Sequence, residues 1–308
     1  IKRVISPAVK RGAFYLRVRK RAALWRAPVV SIGHRGTFAG NTMKKTILYA
    51  VALAATVACS EAPESTSTPT MQADGEPGTA NLYAAAVAHS GRTDSDRLRD
   101  ANRKPADVLA FFGIEPGMTV LDMFSGGGYY TELLSHVVGP TGKVIAHNNQ
   151  AYVQYVGEEA TNRYANSRLA NVDILLAENN QLDLPGESLD AIMMILAYHD
   201  IYYVDPQNGW PKIDGPRLMG EFFDGLKPGG ILAIVDHAAA TGSPRETGNT
   251  LHRIDPDIVI SELGKAGFVL DAESDVLRNV DDDLSMNMSA PEIRGRTDRF
   301  VMRFRKPE

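Results

Sequence analysis

Three short runs contain side chains that can move protons: Tyr198-His199-Asp200, Asp236-His237 and His252-Arg253 with Asp255 close behind. Histidine takes up and releases protons near neutral pH, so it suits the removal of a proton from an oxygen, nitrogen or carbon nucleophile. His199 is the first candidate for such a base, with Asp200 or Asp236 to orient it and Tyr198 and His237 as further candidate catalytic groups. The same residues also read as hydrogen-bonding anchors for loops. His199, Asp200, His237 and His252 are metal-ligand types too, but their spacing matches no compact ligand motif and no cysteine assists, so no metal is expected. Arg253, Arg294, Arg296 and Arg299 read either as anchors for an acidic substrate or as partners for the chain's many carboxylates.

A second set of residues suits ligand binding rather than proton transfer. Val120-Leu121-Asp122-Met123-Phe124-Ser125-Gly126-Gly127-Gly128 lies where a strand pattern gives way to a helix pattern. Glycine there lets a ligand approach the backbone without meeting a Cβ. On its own the loop fits a dinucleotide pyrophosphate equally well, or a tight turn in which Asp122 merely caps the following helix.

These residues need elements to carry them. Met118–Phe124 is a nearly continuous apolar run, the mark of a strand buried on both faces. Further strands are predicted over 142–146, 172–177, 189–197, 231–235, 268–272 and 300–304. Helical spacing appears between them. Pro105 opens a helix with Val108, Phe111 and Phe112 on one face, ending near Gly113. Tyr130, Leu133, Leu134 and Val137 share a second helix face, and Leu218, Met219, Phe222, Phe223 and Leu226 a third. Asp255-Pro256 reads as an N-cap followed by proline at the first helical position, with Val259, Leu263 and Ala266 beneath. This alternation predicts an α/β, doubly wound fold whose strand C-termini share one ligand-binding edge. The glycine loop and all three histidine runs should face that edge.

Several motifs in order resemble class I S-adenosylmethionine-dependent methyltransferases. They are the glycine loop, Glu178–Asp190 (ENNQLDLPGESLD, as in the ubiquinone-biosynthesis type), Leu226-Lys227-Pro228-Gly229-Gly230 and Ala266-Gly267-Phe268. AYHDIYYVDP (197–206), VDH (235–237), LHRIDPDIV (251–259) and RGRTDRFVMRFRKP (294–307) resemble a group of uncharacterised bacterial predicted methyltransferases with a lipoprotein signal. The resemblance implies a Rossmann-like methyltransferase fold over 81–308, with a mostly parallel seven-stranded sheet and an antiparallel last strand. It implies S-adenosylmethionine as cofactor. Asp122 and the backbone around Ser125, Gly126 and Gly128 would hold the methionine part, Asn148 the ribose, and Glu178 or Asn179 would face the adenine. Two residues depart from the pattern: Phe124 replaces the usual first glycine, and Asn148 stands where an acid usually takes both ribose hydroxyls. The implied activity is methyl transfer to a small molecule. The alternatives are a non-catalytic envelope binding module on the same fold and a nicotinamide-dependent oxidoreductase.

Composition bounds the rest. Residues 1–42 carry ten Lys or Arg and no acid, and read as an upstream extension with translation starting at Met43. Residues 43–59 read as a signal peptide: Lys44, Lys45, an apolar run and Thr56-Val57-Ala58-Cys59, which resembles a lipobox with Cys59 as the lipidated residue. Residues 60–80 are poor in apolar groups and should be a disordered tether. This predicts a periplasm-facing lipoprotein held to the membrane only by its lipid anchor, or a cytoplasmic protein if the signal is unused. The remainder after Cys59 has 33 − 12 = 21 basic against 37 acidic residues, a net charge near −16, which argues against nucleic acid as a partner. Cys59 is the only cysteine, which excludes an internal disulfide.

Overall fold

The computed structural model describes residues 77–308. The basic segment 1–42, the signal-like segment 43–59 with Cys59, and residues 60–76 of the expected tether lie outside the described residues. The last four residues of that tether belong instead to a helix, α1 (Pro77–Ala88), with proline as its first residue. Then follow α2 (Asp94–Arg103), α3 (Pro105–Phe112), β1 (Thr119–Met123), α4 (Tyr129–Val138), β2 (Lys143–Asn148), α5 (Gln150–Val156), α6 (Glu158–Tyr164), β3 (Val172–Leu176) and β4 (Leu189–Ile195). The chain ends with α7 (Gly215–Gly225), β5 (Leu226–His237), α8 (Thr247–Thr250), α9 (Pro256–Lys265), β6 (Val269–Ser274) and β7 (Arg299–Arg305).

The seven strands form one sheet in the order β3-β2-β1-β4-β5-β7-β6. β1 to β5 pair in parallel, while β7 runs antiparallel to both β5 and β6. The expected seven strands and antiparallel last strand are therefore present. The order reverses direction at β1 and β4, the crevice where doubly wound sheets bind ligands.

Successive residues of a strand point to opposite faces, and the two cores follow that alternation. On β5, Ile231, Ala233 and Val235 pack with Val108, Leu109 and Phe112 of α3 and Leu133, Leu134 and Val137 of α4. Leu232 and Ile234 pack on the other face, with Leu218, Met219 and Phe222 of α7 and Val259 and Leu263 of α9. The predicted caps also form. Gly113 ends α3 at φ 70°, and the Asp255 side chain accepts from the Asp257 backbone at the start of α9.

The fifth strand is longer than expected. It starts at Leu226, not Ile231, because Leu226 already pairs with Leu189 and the register then jumps to Ala191–Ile231. The Lys227-Pro228-Gly229-Gly230 run thus makes an irregularity inside the strand instead of a turn before it.

Arg253 is fully buried behind the sheet edge. Its guanidinium donates to both Asp282 oxygens (2.8 and 3.0 Å) and to the carbonyls of Ala238 (2.9 Å) and Met286 (2.7 Å). This side chain fastens the loop after β5 to the segment before β7. Arg253→Met would leave the Asp282 carboxylate buried without its cation, so chemical denaturation is expected to show a loss of about 3–5 kcal/mol.

Candidate functional site

The site grows from the C-terminal ends of β1, β2, β4 and β5. Beyond β1 the chain turns through Phe124 at φ 55°, a left-handed conformation that costs a bulky side chain and explains why glycine is usual there. Contacts hold it in place: Phe124 is buried, stacks on Tyr152 of α5 (centroids 4.9 Å apart) and meets His147 edge-on at 5.5 Å.

The three glycines have different reasons. A Cβ at Gly128, which has φ 82°, would collide with Tyr164 and Arg163 of α6, whereas one at Gly127 would displace only the tip of the exposed Glu159 side chain. At Gly126, with φ 57°, the nearest atom to a Cβ is Val156 Cγ1 at 3.8 Å, and the space beside the backbone is open. Ser125 Oγ is buried there with no hydrogen-bond partner among the described residues. An open glycine flank and a buried hydroxyl lacking a partner fit a polar ligand lying along this loop. Of the two glycines expected to meet the cofactor, only Gly126 keeps an open approach.

Asn148 sits at the end of β2 as expected but uses its amide differently from the expected ribose contact. Its Oδ1 accepts from the Gly126 N–H at 2.9 Å and its Nδ2 donates to the Gly126 carbonyl at 3.0 Å. It therefore grips the glycine loop with both ends, which a carboxylate has no donor to do. This is the physical reason for asparagine here. Asn148→Asp is expected to lower stability by about 1–3 kcal/mol in thermal denaturation, since an anion would face the Gly126 carbonyl. The neighbouring Asn149 caps α5 and donates to Asn179 Oδ1 at 3.3 Å. Asn179 is buried near the start of the loop after β3, while Glu178 is exposed. Asp122 is buried and accepts from Thr131 Oγ1 at 2.5 Å in the first turn of α4; burial pushes its carboxyl up to about 7.

His147 braces the same strand end. One ring nitrogen lies 3.0 Å from the Ala177 carbonyl, and the other accepts from the Phe124 N–H at 3.5 Å, the pattern of a neutral ring. Burial pushes its pKa down to about 4. The unfolded chain then binds more protons than the folded one below pH 6.5, so His147 subtracts stability as pH falls from 6.5 towards 4. His147→Gln is expected to show a flatter pH dependence over that window, by up to about 1.4 kcal/mol per pH unit in unfolding free energy.

The histidine runs converge at the ends of β4 and β5. Asp236 is fully buried and accepts from the His199 backbone N–H (2.7 Å), the His237 backbone N–H (2.7 Å) and His199 Nδ1 (2.8 Å). His199 Nε2 faces Asp200 Oδ1 at 3.4 Å, and His252 Nδ1 faces the same oxygen at 3.7 Å. The Tyr152 hydroxyl donates to Asp200 Oδ2. Burial opposes charge on His199, but Asp236 and Asp200 together raise it to about 9, so at neutral pH it already holds its proton. That state suits pairing two carboxylates better than accepting a proton. Burial also works against the Asp200 anion, yet His199, His252 and Tyr152 hold its carboxyl below the ordinary value. His237 lies 5.7 Å from the His199 ring and bonds Thr297 Oγ1 at 2.6 Å; burial and the adjacent positive charges lower its pKa well below the usual value.

Tyr198 is not part of this cluster. Its hydroxyl reaches Glu262 of α9 at 2.9 Å, within the core. Nor do the four arginines gather. Arg253 is spent on Asp282, Arg294 and Arg296 are exposed, and Arg299 donates to the Asn102 and Thr297 carbonyls (2.6 and 3.2 Å). The residues that the sequence did not single out are Tyr152, Tyr203 and Trp210. Trp210 packs 5.1 Å from Tyr152 and 5.2 Å from Tyr203, whose ring lies 4.9 Å from His252. Gly248 of α8 is needed because a Cβ would lie 2.6 Å from the His199 carbonyl, and this close approach lets His252 reach the cluster. His252 has φ 51°, and Leu196, entering the His199 turn, has φ 58°. Two strained residues flanking one polar cluster mark a site whose geometry is imposed by its surroundings.

The sequence model of the family described as protein-L-isoaspartate(D-aspartate) O-methyltransferase (PCMT) matches residues 96–201, a span that includes the glycine loop, Asn148, Asn179 and His199. The sheet order, with β7 inserted antiparallel between β5 and β6, agrees. The chain has the fold of a class I S-adenosylmethionine-dependent methyltransferase. Among curated relatives, the ubiquinone/menaquinone biosynthesis C-methyltransferase UbiE of Hydrogenovibrio crunogenus is 27% identical over 135 residues, 44% of this chain and 48% of that protein. The arsenite methyltransferase of Halobacterium salinarum is 26% identical over 165 residues, 54% of this chain and 37% of the relative. This methyltransferase-fold chain thus spans about half the length, or less, of the curated relatives it matches. A SAM dependent methyltransferase from Aquifex aeolicus, known from its crystal structure, is 25% identical, covers 68% of this chain and 95% of its own, and has a TM-score of 0.47. The methyltransferase family match implies S-adenosylmethionine as the cofactor.

Proposed function

We propose that this chain transfers the methyl group of S-adenosylmethionine to a small molecule held between the glycine loop and the His199–Asp200–His252 cluster. The observation that carries this reading is the position of Tyr152. Its ring stacks on Phe124 of the glycine loop at 4.9 Å, and its hydroxyl bonds Asp200 of the cluster. One side chain thus joins the surface suited to the cofactor to the surface suited to the acceptor.

S-adenosylmethionine, when bound, supplies an electrophilic methyl on its sulfonium. The chain's own residues supply the rest. Ser125 Oγ would hold the polar methionine end, lying along the open flank of Gly126, and Asn179 would face the base. Tyr152, Tyr203 and Trp210 wall the acceptor side with aromatic surface and exclude water. His252, whose side chain is 25% exposed, is the histidine of the cluster that an incoming acceptor can touch. It is therefore better placed than the buried His199 to contact the acceptor's heteroatom.

A small acceptor agrees with the aromatic enclosure. Nucleic acid does not suit the net charge near −16 after Cys59. Anchoring of the domain through a lipidated Cys59 on the periplasmic side belongs to the same proposal and rests on the signal-like sequence alone.

The test is calorimetric titration of the full chain with S-adenosylhomocysteine. Wild type is expected to bind. Gly126→Val should weaken binding by about tenfold or more, because a branched side chain would fill the open flank at a left-handed position. Equal affinity in a folded Gly126→Val variant would place the cofactor elsewhere.

A further inference from the structure

We propose that His199, Asp200 and His252 form a binding site for a divalent transition-metal ion, with Asp236 and Tyr152 as its supporting shell. Each of the three offers one ligand atom, and these atoms all lie within 4.8 Å of one another. The two separations that share the carboxylate oxygen are 3.4 and 3.7 Å. Charge-assisted hydrogen bonds between such groups are shorter, about 2.7–2.9 Å. Two ligands of one tetrahedral ion with bonds of about 2.0–2.1 Å stand roughly 3.3 Å apart. The observed spacing is looser than a charge-assisted hydrogen bond and close to that of donors around one small cation, whose binding would displace the proton from His199 Nε2.

The lone pairs point the same way. His199 Nδ1 is committed to Asp236, which is also held by two backbone N–H groups and can act only as an acceptor. Nδ1 therefore carries the hydrogen and donates, which turns the Nε2 side of the ring onto Asp200. A carboxylate that fixes the far nitrogen of a ligating histidine is the usual way to set its tautomer and orientation. Asp200 is prepared similarly: the Tyr152 hydroxyl takes Oδ2 and leaves Oδ1 as the single ligand atom. His252 completes the set from a strained backbone conformation, and the close approach of Gly248 to the His199 carbonyl allows it.

Two imidazoles and one carboxylate favour zinc, iron, nickel or copper over magnesium or calcium, which prefer oxygen ligands alone. Three protein ligands leave at least one position open, as in catalytic rather than structural sites. His199 and Asp200 are buried while His252 is partly exposed, so the open position lies on the solvent side, next to the Tyr203 ring. Its use there, to hold a heteroatom of the methyl acceptor, rests on the proposed methyl transfer; binding of the ion does not.

The experiment uses the full chain, stripped with a chelator and titrated with zinc, then with cobalt as a spectroscopic probe. Wild type is expected to bind zinc stoichiometrically and to give the ligand-field absorption of a four- or five-coordinate cobalt site. Asp200→Asn and His252→Ala should each weaken binding by about tenfold to a hundredfold, the range seen when even outer-shell partners are lost. A double His89→Ala, His136→Ala variant, removing the stacked pair remote from the cluster, should bind as wild type. Thermal denaturation checks the fold of each variant, and the cobalt spectrum of wild type stands even if one variant fails to fold. No stoichiometric binding, or equal binding in both cluster variants, overturns the site. Titration of the metal-free chain with S-adenosylhomocysteine is read separately, so failure of the cofactor reading and failure of the metal site are distinguishable.

Discussion

A single buried carboxylate organises the edge on which everything else depends. Asp236, at the end of the longest strand, has no exposure and would be costly to bury alone. Its oxygens are satisfied by two backbone N–H groups and one imidazole. These bonds draw the turn after β4 onto the end of β5 and fix the His199 ring. That turn approaches through Leu196 at φ 58°, a conformation it would not adopt unaided. The carboxylate thus stabilises both the local backbone and the cluster of polar groups around it. Burial with full hydrogen bonding is the condition under which such a group is tolerated in a core.

From that anchor the order passes outward through side chains. His199 faces Asp200, Asp200 holds Tyr152, and Tyr152 stacks on Phe124, which opens the glycine loop. Asn148 then fixes the loop's central peptide through both ends of its amide. The two departures from the family pattern, Phe124 and Asn148, therefore serve this chain's own connections. Phenylalanine gives Tyr152 a surface to stack on, and asparagine replaces an acid because the loop offers it a carbonyl as well as an N–H.

Much of the architecture was legible in the sequence because it rests on periodicity and local chemistry. The apolar run of β1, the helix face Leu133, Leu134 and Val137, and the Asp255-Pro256 cap all depend on neighbours close in the chain. The residues brought to the edge were legible for the same reason, since strand C-termini in such a fold share one side. What the sequence did not convey depends on partners far along the chain. Tyr152 and Asp200 are 48 positions apart, Arg253 and Asp282 are 29 apart, and Tyr198 bonds Glu262 across 64. Tyr198 looked like a neighbour of the cluster because it precedes His199, yet the 3-10 turn over Tyr198–Tyr202 sends it into the core. Gly128 read as room for a ligand, whereas Tyr164 and Arg163 of α6 fill that room. The long first half of β5 was missed because Pro228 and two glycines signal a turn, and the strand absorbs them as an irregularity.

The central claim is that one edge holds the cofactor loop and the polar cluster in a shared crevice, joined by Tyr152. A crystal structure of the full chain with bound S-adenosylhomocysteine tests this most directly. The account predicts that the ligand lies along Ser125 and Gly126, with its base towards Asn179 and its sulfur facing the crevice bounded by Tyr152 and His252. A ligand bound away from the glycine loop, or one whose sulfur is turned away from Tyr152 and His252, would contradict it.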